Sequence, residues 1–396
     1  MRKENLLQEI KELEQQMIAD RRFLHQHPEL SHQEYQTTRF VKERLAQFGL
    51  QPEPLETDTG VSVLIRGGKP GKTICIRHDM DALPIQEETG LPFQSEVDGV
   101  SHACGHDIHT AIALYCGRIL NERKEELAGN VRIVFQPAEE TGQGAREMME
   151  AGFKKLSPAN DIVVGLHTHP ETPVGMISLR EGPMEAGADY LRILIRGKGC
   201  HGAHPYQGVD PILTAAFLMT ELQSVITRVN PAVKPAILTF GSIHGGKACN
   251  VIPDQVELLG TLRVFHPECR ETNLQAIRRI TEQVCASMGA EGIIELRGGM
   301  PPVYNDREVT EGIVKAAGEI LGEESVRFLE FPSPGSDDFA VFLEGTKGTQ
   351  FFLGTGGESE ETRIGVHSGR NVFEEKSMAV GTAVLVQYVL DTLKDC

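Results

Sequence analysis

A chain of 396 residues exceeds one typical core and suits two domains. Its 40% apolar and 24% charged residues are ordinary for a globular protein. A formal net charge of −17, with no basic run to offset it, excludes a general affinity for nucleic acid or anionic membranes.

Residues 1–20 read as an amphipathic helix, with Leu6, Ile10, Leu13 and Met17 at helical spacing among charges. The unbroken apolar core of a secretory signal is missing from it, so a cytoplasmic location is expected. Strand-like runs follow at 61–66, 72–81, 131–136 and 161–167, with helical patterns at 37–49, 109–127 and 144–152 between them. This alternation predicts an α/β fold with a mixed, largely parallel sheet and helices on both faces, whose ligand site lies beyond the carboxyl ends of the strands. After about residue 185 the rhythm changes. Strands at 190–196, 236–244, 255–265 and 292–297 and helices at 210–228 and 269–288 predict a compact inserted α+β domain. A turn-rich 297–305 segment leads back to helix 307–322, strand 349–354 and helix 374–393. The expected domains are therefore 1–185 with 298–396, and the insert 186–297. The most apolar stretch, 378–390, is too short to span a bilayer and reads as a buried helix.

Eight cysteines at irregular spacing, with no Cys-x-x-Cys pair, read as reduced thiols. Five clusters carry chemistry. Arg77-His78-Asp79-Met80-Asp81 ends a strand, and His102-Ala103-Cys104-Gly105-His106-Asp107 opens a helix. Gln136-Pro137-Ala138-Glu139-Glu140 and Gly165-Leu166-His167-Thr168-His169 each end a strand, and Gly365-Val366-His367-Ser368 lies near the C-terminus. A lone histidine in a loop is more often a satisfied core or surface residue than a ligand. Cysteine, histidine and carboxylates gathered at the strand ends of one sheet are the donor types that bind transition metals.

Together these blocks resemble the M20 family of metallopeptidases, almost from end to end. Ser101-His102-Ala103-Cys104-Gly105-His106-Asp107 with His109-Thr110-Ala111, and Phe135-Gln136-Pro137-Ala138-Glu139-Glu140, are the most specific matches. Cysteine in the second block, where most members carry aspartate, is similar to the amidohydrolase subgroup of hippurate hydrolases, aminoacylases, N-acetyl-diaminopimelate deacetylases and auxin-conjugate hydrolases. The resemblance implies two divalent transition-metal ions (Zn, Mn, Co or Ni), held by Cys104, His106, Glu140, His167 and His367, with Glu139 as general base. It implies a ferredoxin-like insert serving as lid and dimer contact, in which His201 reaches the active site and Asn250 and Arg263 lie near the substrate. The implied substrate is a small N-acyl amino acid. Two departures are visible. His367 is followed by Ser368-Gly369-Arg370 where Ser-Pro is usual, and Pro205-Tyr206 stands where Pro-His is common.

The chemistry is coherent without the family. Adjacent Glu139 and Glu140 point apart at a strand end, so one can bind metal while the other takes a proton from water. A ligating imidazole needs its second nitrogen hydrogen-bonded, a role for Asp79, Asp81 or Asp107. A thiolate at Cys104 favours softer ions over Mg. His25 and His27 read as structural, His167 is preferred over His169, and Asp337 and Asp338 read equally as cleft floor or helix N-terminus. A dipeptidase or carboxypeptidase, and a non-catalytic binding protein of the same fold, remain the alternatives.

Overall fold

The protein, as a computed structural model, is described over residues 4–394; residues 1–3 of the expected first helix and Cys396 lie outside the described residues. The chain divides into two compact units, one of Met1–Gly182, Asn305–Phe331 and Val341–Cys396, the other of Pro183–Tyr304 and Pro332–Ala340.

The first unit begins α1 (Glu4–Gln26), α2 (Tyr35–Gln47), β1 (Val61–Arg66), β2 (Lys69–Asp79), α3 (His106–Glu122), β3 (Ala128–Gln136), α4 (Gly144–Glu150), β4 (Ile162–Pro173) and β5 (Ile177–Leu179). After β6 (Gly182–Glu185), the second unit runs β7 (Gly187–Arg196), β8 (Cys200–His201), α5 (Pro211–Ser224), β9 (Ala236–Gly245), β10 (Val251–Ile252), β11 (Gln255–Val264), α6 (Pro267–Ser287) and β12 (Glu291–Met300). Then come β13 (Val303–Asn305), α7 (Arg307–Leu321), β14 (Val326–Phe328), β15 (Lys347–Gly356) and α8 (Ser377–Thr392).

The sheet of the first unit has the order β1-β3-β2-β4-β15-β5-β14. β3, β2, β4 and β15 run parallel, while β1 on β3 and β5 on β15 are antiparallel, so the sheet is mixed and largely parallel. Parallel neighbours point their carboxyl ends the same way, which brings the loops after β2, β3 and β4 together. Alternation along the strands sends Ile74, Ile76, Val131, Ile133 and Phe135 into one hydrophobic cluster with α1, α2, α3, α7 and α8. The alternate residues face the other way. Among them, Arg132 pairs with Glu53 at 2.7 Å and lies over the Phe153 ring. The apolar α8 is buried over most of its length, as its composition predicts.

In the second unit the sheet order is β12-β7-β11-β9, all antiparallel. With α5 after β7 and α6 after β11, this is the split β-α-β motif of ferredoxin-like folds. Leu191, Ile193, Ile195, Leu258 and Leu262 on one sheet face pack with Leu218 and Leu222 of α5 and Ile277 and Ile280 of α6. Asp210 caps α5, accepting from the amides of Ile212 (2.9 Å) and Leu213 (3.1 Å), and Pro211 occupies its first turn. The stretch Pro211–Val229, at 19 residues and a mean hydropathy of 1.3, meets the length and composition of a membrane span. Thr214, Ala215, Leu218 and Leu222 nonetheless face the unit's own core.

Three differences from the sequence reading have physical causes. α1 continues to Gln26, because Arg21 and His25 find buried partners in the fold. The 297–305 segment is mostly strand: β12 bulges where Gly298 and Gly299 take positive φ but runs on to Met300, and only Pro301 and Pro302 interrupt it before β13. Pro332–Ala340 clusters with the second unit, where the Ala186 amide donates to the carbonyls of Ser333 (3.1 Å) and Gly335 (2.8 Å).

Candidate metal centre

Each strand end contributes a donor. Asp79 terminates β2, with Asp81 just beyond; Glu139 and Glu140 follow β3; His167 lies on β4. Cys104 and His106 flank Gly105, which precedes α3 with φ 82°. A Cβ there would meet the Thr168 side chain at 2.8 Å, so only glycine lets α3 start this close to β4. His367 also has positive φ, 63°, and its amide donates to the Ala103 carbonyl at 2.9 Å.

Cys104, His106 and His167 each bring one donor atom within 4.8 Å of the others, and so do Cys104, Glu140 and His367. Cys104 belongs to both groups. Glu139, buried, forms a third such group with His106 and Glu140. Cys104 Sγ lies 3.4 Å from His167 Nε2, and His367 Nε2 lies 3.4 Å from Glu140 Oε2.

The imidazoles are held in the form a cation needs. His106 Nδ1 donates to the Asp81 carbonyl (3.0 Å) and carboxylate (3.1 Å), and His167 Nδ1 donates to the Thr168 carbonyl at 2.8 Å. Each Nε2 is therefore the nitrogen turned to the site and left to bind a cation. His106 Nε2 and Glu140 Oε1 are buried without a hydrogen-bond partner, a costly state unless something else satisfies them. The field is strongly negative. Burial acts to lower the His106 pKa, yet Asp79, Asp81 and Glu140 push it up to about 10. Burial followed by Glu140 and Glu139 holds the Cys104 thiol well above its usual range. Soft and nitrogen donors, orphaned lone pairs and excess negative charge together fit divalent transition metals.

The supporting carboxylates divide their work differently from expectation. Asp81 serves His106, also accepting from Ser31 Oγ (2.7 Å) and the Glu140 amide (3.0 Å). Asp79 accepts from His109 Nδ1 at 2.5 Å and from Arg77 at 2.8 Å. His109 Nε2 in turn accepts from the Thr168 amide at 2.9 Å, so both its nitrogens are used in bracing the His167 strand. Despite burial, His106, His109 and Arg77 hold Asp79 well below the usual carboxylate range. Asp107 supports none of the candidate ligand imidazoles. Its neighbours are Arg21 and His25, each 2.7 Å away, because on α3 it points towards α1.

The sequence assigns His109 no role of its own. The signal that points to it is the three-residue spacing from His106, which puts both on one face of α3. His169 turns aside, bonding Thr172 Oγ1 at 2.9 Å and stacking on Phe352.

In the second unit, β8 pairs with β10, setting His201 opposite Val251 and beside Asn250, whose carbonyl accepts from Gly202 at 2.8 Å. The Ala203 amide donates to His201 Nδ1 at 3.0 Å, which places the ring proton on Nε2. Arg263, on β11, donates to Ser336 Oγ at 2.9 Å. Asp337 accepts from the Phe339 amide at 2.7 Å, and Asp338 opens the short helix Asp338–Val341.

Residues 75–391 match the model of peptidase family M20/M25/M40. The chain belongs to this family. An N-acetyl-L-cysteine deacetylase of Bacillus subtilis (strain 168) is 42% identical over 350 residues, covering 88% of this chain and 82% of that protein. Thermostable carboxypeptidase 1 of Saccharolobus solfataricus is 37% identical, covering 96% of this chain and 95% of that protein. A crystal structure of a Bacillus subtilis protein, described as a dinuclear metal-binding peptidase of the M20 family, superposes with a TM-score of 0.82 at 35% identity, covering 97% of this chain and 99% of that one.

Proposed function

We propose that the protein is a metal-dependent amidohydrolase that cleaves N-acyl amino acids, releasing a carboxylic acid and the free amine. The observation that carries this reading is the pair of donor groups meeting at Cys104, with the buried Glu139 beside them. Similarity to an N-acetyl-L-cysteine deacetylase supports an N-acetyl amino acid as substrate.

Two divalent ions, of Zn, Mn, Co or Ni, would be held by Cys104, His106 and His167 and by Cys104, Glu140 and His367. When bound, they supply Lewis-acid polarisation of the scissile carbonyl and lower the pKa of water. Glu139 takes the proton from the attacking water and delivers it to the departing nitrogen as the C–N bond breaks. His201, with its proton on Nε2, donates to the oxyanion. Arg263 binds the substrate carboxylate through its planar fork, and Asn250 orients the amide. The second unit acts as lid and dimer contact. A cytoplasmic enzyme agrees with the free thiols at Cys75, Cys104, Cys116, Cys200, Cys249, Cys269 and Cys285.

The test is a panel of N-acetyl and N-benzoyl amino acids, scored with ninhydrin for released amine, with and without added Mn or Zn. The likeness to a carboxypeptidase supports a second reading, cleavage of peptides from the C-terminus. Faster release from unblocked dipeptides than from any N-acyl amino acid would favour it.

A further inference from the structure

Ala138, immediately before the Glu139–Glu140 pair, has φ 54°, the left-handed region. A non-glycine residue is strained there and persists only when its surroundings hold it. The hold is visible. The Ala138 amide donates to Glu34 Oε1 at 2.8 Å, and its carbonyl accepts from the Gly144 amide (3.1 Å) and Thr141 Oγ1 (3.0 Å).

Glu34 is an unusual choice for this task. It sits at the N-cap of α2 but its side chain caps nothing. Glu29 does that work, accepting from the amides of Gln36 (3.1 Å) and Thr37 (2.8 Å). Glu34 is fully buried, and its Oε2 has no hydrogen-bond partner. Burial, with a smaller push from Asp81, moves the carboxyl up to about 7. A buried carboxyl that neither caps its helix nor forms an ion pair is a liability to the fold alone. Its contact with a segment distant in the chain is the amide that precedes the candidate base.

We propose that Glu34 is a positioning residue: it anchors the left-handed Ala138 and thereby sets the aim of Glu139 and Glu140. Glu139 Oε can face the attacking water only if the Pro137-Ala138 turn leaves β3 at this angle. The two glutamates are adjacent, so a flip at Ala138 would redirect both. The proposal rests on the reading of Glu139 as general base.

The experiment compares Glu34→Ala, Glu34→Gln and the double variant Glu34→Ala/Ala138→Gly. Each is assayed for kcat, KM and metal content, and the crystal structure of Glu34→Ala is determined. Gln keeps an acceptor for the Ala138 amide, so its kcat stays within about threefold of wild type. Ala removes the acceptor, and kcat falls about 10²-fold at little changed KM, the scale of a small misplacement of a catalytic group. Glycine takes positive φ freely, so the double variant recovers at least about tenfold of that loss. A merely structural role predicts the reverse, since glycine would weaken the fold further. In the crystal, Ala138 of the Glu34→Ala variant leaves the left-handed region.

Three results would overturn the proposal: a wild-type kcat in Glu34→Ala, no recovery in the double variant, or Ala138 still at positive φ once Glu34 is truncated. If Glu34→Ala does not fold, Glu34→Leu, which fills the space and accepts nothing, takes its place in every arm. A wild-type protein that cleaves no N-acyl amino acid would refute the functional reading instead, and the φ of Ala138 would still decide whether Glu34 holds the turn.

Discussion

At the scale of single residues, the centre is a set of side chains whose spare atoms are already spoken for. His106 and His109 lie one helical turn apart and both approach Asp79, yet of the two only His106 keeps an unpartnered nitrogen. Glu139 and Glu140 differ in the same way. Glu140 faces His367 and His106, and its amide is fixed by Asp81. Glu139→Gln is therefore expected to keep its metal while kcat drops about 10²–10⁴-fold, the worth of general acid–base catalysis. Glu140→Gln is expected to lose metal. Elemental analysis beside steady-state kinetics separates the two, and the opposite pattern would exchange their roles. For the substrate carboxylate, methyl esters of N-acetyl amino acids should show kcat/KM lower by about 10²-fold than the free acids, since a charge-assisted pair contributes about 1.5–3 kcal/mol. Arg263→Ala should erase that difference; equal turnover of acid and ester by the wild type would dismiss the carboxylate clamp.

At the scale of elements, α1 is tied to the start of α3 by charge rather than by apolar packing alone. Arg21 and Asp107 form an ion pair at 2.7 Å, both about fully buried. His25 bridges two carboxylates, Asp107 at Nδ1 (2.7 Å) and Glu87 at Nε2 (3.1 Å), which favour its protonated form. Burial and Arg21 oppose that charge, but Asp107 and Glu87 prevail and raise its pKa. Arg21→Met leaves Asp107 with less compensation in the interior, and is expected to cost about 3–5 kcal/mol in urea unfolding. The pH dependence follows in sign. A group whose pKa is higher when folded binds more protons in the native state, so its stabilisation is complete below its unfolded value, about 6.5, and is lost as pH rises through the folded value. Wild-type stability should fall across that window, and His25→Gln should flatten the slope. A slope unchanged by the substitution would mean that another group titrates there.

For the whole molecule, a formal charge of −17 and a dense knot of buried carboxylates both oppose the compact state. Ions bound only by the native fold would relieve the knot and stabilise by mass action. Chelation should therefore abolish activity and lower the melting temperature together, and Mn, Zn or Co should restore both. Full activity in a rigorously metal-free sample would end the metal reading. Exposed apolar side chains on α5, including Ile212, Leu213 and Phe217, agree with the second unit as a contact between copies. Sedimentation equilibrium of wild type and Phe217→Glu tests this: a dimer shifted towards monomer by the charge supports it, and a monomeric wild type rejects it.

The order of elements, the alternation of strands and helices, the split β-α-β unit and the candidate donors at the strand ends are legible in the sequence. Each rests on local composition: strand-like runs at β2 and β3, a helical pattern after the Cys104-Gly105-His106 block at α3, and the long apolar stretch of α8. The assignment of partners did not follow from it. Nothing in the spacing says that Asp107 turns to Arg21, 86 residues earlier by numbering, instead of to an imidazole. Nor does it say that His109 binds Asp79, or that Glu34 reaches Ala138. These are contacts between residues far apart in the chain, chosen by which atoms the fold leaves buried and unsatisfied. Local sequence specifies which groups are available, and only tertiary packing decides which of them pair and which nitrogen or oxygen is left over for a metal.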